Sequence, residues 1–109
     1  MSNQGIALIT GASTGIGAVY ADRLAKRGYD LILVARSKDK LDEVAKQIQA
    51  STGRKVEVLP ADLSVGVDVK RVAERLASDS NITAFVNNAG VAAASKLLES
   101  DVDLSLIHI

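Results

Sequence analysis

The segment TGASTGIG, from Thr10 to Gly17, sets Gly11, Gly15 and Gly17 within seven residues, directly after the apolar run IALI. Removing side chains between an apolar run and the start of a helix lets a ligand approach bare backbone. The free N–H groups and positive dipole end of a helix N-terminus make phosphate the natural ligand there. Gly11 would permit the tight turn, Gly15 would admit the phosphates to the backbone, and Gly17 would let a helix pack closely on a strand. Ser13 and Thr14 can add hydroxyl donors. The spacing is G-x-x-x-G-x-G, not G-x-G-x-x-G, and the absence of G-K-[ST] excludes a P-loop. Taken alone, such a turn could equally serve only to tighten a strand-to-helix junction.

The elements that would position this turn are legible in the periodicity. Apolar runs cover Ile6–Ile9, Leu31–Val34, Val56–Leu59 and Ile82–Val86. Between them Leu41, Val44, Ala45 and Ile48 recur at helical spacing, as do Val69, Val72, Ala73 and Leu76. Ile16, Val19, Tyr20 and Leu24 form a third apolar stripe, which ends near Gly28, a helix stop. Alternating strands and helices predict an α/β chain with a parallel sheet, because a helix supplies the crossover that parallel neighbours need. Right-handed crossovers put the first two helices on one face and the third on the other, with strand order 3-2-1-4. That is the first half only of a doubly wound sheet.

Such a sheet binds ligands outside the carboxyl ends of its strands, where the winding reverses, and the glycine turn falls at that point. Arg36 follows the second strand, Asp62 follows the third in PADLS, and NNAG, Asn87 to Gly90, closes the fourth. A row of polar or permissive residues along one sheet edge is what a long ligand lying across the switch point requires.

Composition narrows the function classes. The 109 residues suit one small domain, and 48% hydrophobic residues suffice for a core. Thirteen basic and thirteen acidic residues cancel without a charged run, so no nucleic acid and no charged membrane are expected as partners. No cysteine is present, no apolar run is long enough to span a bilayer, and MSNQG lacks the features of a secretory leader. A cytoplasmic protein is expected.

With these residues in view, the chain resembles the short-chain dehydrogenases/reductases. Their motifs are T-G-x-x-x-G-x-G after strand one, D-[LV] after strand three and N-N-A-G after strand four. All three occur here in order, between about Gly5 and Gly90. The resemblance implies a Rossmann-type fold and hydride transfer between a nicotinamide and a carbonyl or alcohol substrate. It implies that Gly11 to Gly17 hold the pyrophosphate, with the Ile16 backbone nearby. Asp62 and Leu63 would flank the adenine, and Asn88, Ala89 and Gly90 would line the adenosine ribose side. Asn87 would tie the fourth strand to neighbouring backbone. The full-length protein is expected to be a homo-oligomer.

Charge argues for the cofactor. NAD sites carry an acidic residue after strand two to accept the ribose hydroxyls, whereas a 2′-phosphate needs a cation. Arg36 stands nineteen residues after Gly17, where that residue belongs, with Lys38 close by. NADP(H) is therefore expected in preference to NAD(H), although Thr14 stands where many NADP(H)-preferring relatives are basic.

The family's proton-exchanging tyrosine, followed four residues later by lysine, is missing. The two tyrosines, Tyr20 and Tyr29, are followed at that distance by Leu24 and Leu33. Tyr20 reads as part of the first helix's apolar face. Ser95 and Lys96 precede any position open to such a tyrosine and read as loop residues, and the single histidine, His108, has no neighbours to make it a base or a ligand. No catalytic residue and no metal site are assigned. LSLIHI, Leu104–Ile109, can be encoded as CTG TCT CTT ATA CAC ATC, which resembles a transposon end used to tag DNA libraries. The expected division is residues 1–103 as a partial NADP(H)-binding domain and 104–109 as a non-native tail. Strand four would then be an open edge, and the chain alone would be inactive and poorly folded. The alternative is a non-catalytic dinucleotide-binding sensor or scaffold with the same fold.

Overall fold

The computed structural model describes residues 5–13, 15–88 and 107–108. Four strands alternate with three helices: β1 (Ile6–Thr10), α1 (Gly15–Lys26), β2 (Asp30–Ala35), α2 (Lys38–Thr52), β3 (Val56–Pro60), α3 (Gly66–Ser78) and β4 (Ile82–Asn87). A two-residue strand, β5 (Ile107–His108), follows. The sheet order is β3-β2-β1-β4-β5, and every pairing is parallel. The expected 3-2-1-4 order is present, but β4 is not the open edge: Ala84 and Phe85 pair with Ile107 and His108 of β5. The expected boundary after Asp103, with Ser95 and Lys96, lies outside the described residues.

Alternate residues of the strands feed two separate cores, as a period of two requires. Ala7, Ile9, Leu31 and Leu33 join Ala21, Leu24, Leu41, Ala45 and Ile48 of α1 and α2. Leu8, Ile32, Val34 and Phe85 face Val69, Val72, Ala73 and Leu76 of α3 on the other side. Each fully buried Leu or Phe contributes on the order of 1.5–3 kcal/mol. The central strands are apolar where they are buried on both faces, Ala7–Ile9 of β1 and Leu31–Ala35 of β2, as parallel strands between two helical layers must be.

The apolar stripes of α2 and α3 are as their spacing predicts. That of α1 is not. Its buried residues are Gly17, Ala21, Leu24 and Ala25, whereas Ile16, Val19 and Tyr20 are 66%, 50% and 38% exposed. Small side chains let α1 lie close on the sheet, and close approach selects the Gly/Ala flank over the bulkier one. Tyr20 is therefore not on the buried face. The helix stops as expected at Gly28, which has φ 102°. Tyr29 N–H donates to the Leu24 carbonyl and Gly28 N–H to the Ala25 carbonyl, both at 3.1 Å, a left-handed glycine cap.

Candidate functional site

Strand register brings the expected residues to one line. Thr10 is level with Val34 on one side and Asn87 on the other, and Ala35 is level with Pro60. Gly11, Arg36, Asp62 and Asn88 thus leave the sheet within about two residues of a common carboxyl edge. Helix α1 departs toward one face and α3 toward the other, so the winding reverses between β1 and β4, the position at which such sheets hold ligands.

The β1 turn is shaped by missing side chains. Gly11 adopts φ 66°, and a Cβ there would lie 3.0 Å from the Asn88 backbone. A Cβ at Gly17 would collide with the Gly11 carbonyl oxygen and come within 3.0 Å of the Ala12 Cα. Gly17 therefore packs the helix onto its own turn as much as onto the strand. Among the described residues, a Cβ at Gly15 would meet nothing within 4 Å. Space is open beside Gly15, at the N-terminus of α1, and a phosphate fits the backbone donors of that end. Ile16 is exposed beside it, and Ser13 is half-buried in the turn. Thr14 lies outside the described residues, as do Ala89 and Gly90.

Between β1 and β4 a polar pin closes the sheet edge. Thr10 is fully buried. Its hydroxyl donates to Asn87 Oδ1 at 2.7 Å and accepts from the Asn88 N–H at 3.1 Å. Asn88 Nδ2 donates to the Gly11 carbonyl at 3.3 Å. The Asn88 amide thus ties β4 to the β1 backbone, and the Asn87 amide oxygen holds the Thr10 hydroxyl. Thr10 was not singled out in the sequence, although a hydroxyl ending an otherwise apolar strand was the available signal.

Arg36 is exposed at the end of β2 and, among the described residues, has no ion-pair partner. The next residue, Ser37, caps α2: its Oγ accepts from the Lys40 N–H at 3.4 Å. The positive end of the α2 dipole therefore adds to the Arg36 charge. Lys38 is engaged elsewhere, with Asp42 at 2.8 Å, and that hydrogen bond holds its ammonium above the ordinary lysine pKa. Both side chains of the pair are exposed, so it offers little resistance to redirection toward an anion.

The β3 turn is built from side chains. Asp62 Oδ1 accepts from the Ser64 N–H at 2.9 Å and from the Ser64 hydroxyl at 2.6 Å. The Asp62 N–H donates to Asp68 Oδ2 at 2.8 Å. Arg71 donates to both the Pro60 carbonyl and Asp68 Oδ1 at 3.3 Å. Leu63 packs partly buried against the α3-side core. At the opposite end of the strands, Lys26, Arg27, Ser51, Thr52 and Arg54 line a cavity of about 370 Å³. Helices α1 and α2 end there, and their negative dipole ends make it a poorer place for phosphate than the glycine edge.

The short chain dehydrogenase family matches residues 5–107. The 17-beta-hydroxysteroid dehydrogenase type 3 of Danio rerio is 39% identical over 107 residues, 94% of this chain and 34% of that protein. The inactive hydroxysteroid dehydrogenase-like protein 1 of Homo sapiens is 36% identical over 85 residues, 78% of this chain and 26% of that protein. Among solved structures, the short-chain dehydrogenase from Sphingobium yanoikuyae in complex with NADPH superposes with TM-score 0.83 at 38% identity, covering 88% of this chain and 46% of that one.

Proposed function

The chain belongs to the short-chain dehydrogenase family, and from that premise we propose that it is the cofactor-binding portion of an NADP(H)-dependent enzyme acting on a carbonyl or alcohol substrate. It spans 34% and 46% of the two enzymes above. In this reading the serine, tyrosine and lysine of the family chemistry belong to the remainder of a longer polypeptide, and residues 1–103 alone are without turnover. A cytoplasmic location and homo-oligomeric assembly belong to the same reading.

Arg36 carries the choice of cofactor, as a guanidinium without an ion-pair partner among the described residues, beside the N-terminus of α2 and on the same edge as the glycine turn. When bound, NADP(H) supplies the nicotinamide that exchanges hydride with the substrate carbon. The residues of this chain bind and orient it. Gly11, Ser13, Gly15, Ile16 and Gly17 present backbone and hydroxyl donors to the pyrophosphate, with Thr14 in the same turn. Arg36 holds the 2′-phosphate, Asp62 and Leu63 flank the adenine, and Asn88, with Ala89 and Gly90, lines the ribose side. The space beside Gly15 and an Arg36 charge with no ion-pair partner among the described residues support this fit.

In the complete protein, NADPH should bind more tightly than NADH by roughly 10- to 150-fold, since a charge-assisted pair contributes about 1.5–3 kcal/mol. Fluorescence titration of Arg36→Ala should show most of that preference gone. Equal affinities for the two cofactors in the parent protein would overturn the assignment. A second reading, a dinucleotide-binding protein without turnover, is favoured by the similarity to a relative described as inactive. Tight NADPH binding without reduction of any carbonyl by the complete protein would select it.

A further inference from the structure

Two of the bonds around the end of β3 converge on one residue that plays no part in the reading above. Asp68 lies in the first turn of α3, six residues beyond Asp62, with its side chain 25% exposed. One of its carboxylate oxygens accepts the Asp62 backbone N–H at 2.8 Å, and the other accepts Arg71 at 3.3 Å. Arg71 reaches on to the carbonyl of Pro60, the last residue of β3, also at 3.3 Å. The chain of contacts therefore runs from strand end, through Arg71 and Asp68, to the Asp62 backbone. It closes a ring around the residues at which the chain leaves the sheet. The Ser64 bonds fix the Asp62 carboxylate from the other side.

We propose that Asp68, anchored by Arg71, is the positioning residue that sets the Asp62 carboxylate for recognition of the amino group of the cofactor's adenine. This rests on the reading of the Asp62–Leu63 turn as the base end of the dinucleotide site. A carboxylate accepts from an amino group and is repelled by a carbonyl oxygen at the same place. Its discrimination depends on orientation: the Ser64 bonds hold the Asp62 carboxylate relative to its own turn, and the backbone N–H held by Asp68 sets that turn relative to the end of β3. Asp68 does the holding as a charged acceptor, stabilised by the α3 N-terminus and by Arg71. An Asn of the same shape can keep one acceptor for the Asp62 N–H only by turning its NH₂ toward Arg71, donor against donor.

The test compares NADPH with its analogue in which hypoxanthine replaces adenine, so that a carbonyl stands in place of the amino group. In the complete parent protein the adenine form should bind about tenfold more tightly. In Asp68→Asn that ratio should fall to about two or less, through loss of NADPH affinity with the analogue little changed. Arg71→Gln, which leaves Asp68 in place but removes its anchor, should lower the ratio in the same sense by a smaller factor, and it provides the test should Asp68→Asn not fold. A purely structural role for Asp68 would weaken both ligands together and leave the ratio intact, which would overturn the proposal. A parent ratio near one, with NADPH still tightly bound, would also overturn it while leaving the NADP(H) reading standing. A parent protein that binds neither ligand would overturn both.

Discussion

The β1 turn and the β3 turn stand on the same sheet edge and are built by opposite means. At β1 the shape comes from what is missing: Gly11 takes a left-handed φ, Gly17 has no room for a Cβ, and Gly15 faces open space. At β3 the shape comes from what is present: Ser64, Asp68 and Arg71 hold Asp62 through bonds of 2.6–3.3 Å. A turn defined by bare backbone tolerates no added atoms where it packs, at Gly11 and Gly17, but is indifferent to charge and salt. One defined by side chains tolerates changes of size and is sensitive to protonation and hydrogen-bonding capacity.

Substitutions that exchange these sensitivities sharpen the contrast. Gly17→Val should have the largest effect, because its branches would be forced into the Gly11 carbonyl and the Ala12 backbone with no flexible group to yield. A loss of about 3 kcal/mol or more is expected, read as a collapse of the denaturant midpoint or of soluble expression. Gly15→Val should leave the melting temperature of the complete protein within a few degrees of the parent. Its side chain would occupy the open space at the helix N-terminus, so NADPH and NADH affinity should both fall by at least about tenfold. Unchanged affinity would mean that the turn only joins strand to helix. Ser64→Ala should act least. It removes one of the two hydrogen bonds from Ser64 to Asp62, at a cost of about 0.5–1.5 kcal/mol in stability by chemical denaturation. A Ser64→Ala effect as large as that of Gly17→Val would erase the distinction between the two turns.

The two turns also differ in how far they could be read from the sequence. Glycines at fixed offsets after an apolar run identify the β1 turn, since no other residue serves a left-handed φ and a contact with no room for Cβ. Asp62 was visible in the same way, but its partners were not. Asp68 and Arg71 look like ordinary exposed helix charges until α3 folds back over the end of β3. The stripes of α2 and α3 were legible because their large apolar residues are the buried ones. Helix α1 inverted that rule: Gly17, Ala21 and Ala25 carry little hydrophobic signal, yet their smallness is what buries them, leaving Ile16, Val19 and Tyr20 outside. β5 was invisible because two residues carry no period.

The Thr10 pin bears on how the gap between β1 and β4 behaves before any ligand arrives. Helix α1 leaves β1 toward one face, whereas α3, on the other face, joins β4 at its far end, so the two carboxyl ends are held by contacts between the strands themselves. A buried hydroxyl that donates to one asparagine and accepts from the backbone of the next fixes their separation within the protein's own covalent reach. The width of the crevice is thus a property of the empty fold, and a dinucleotide entering it has little strand-end motion to quench. The ordering entropy that would otherwise oppose association is spent during folding, where the neighbouring core supports it.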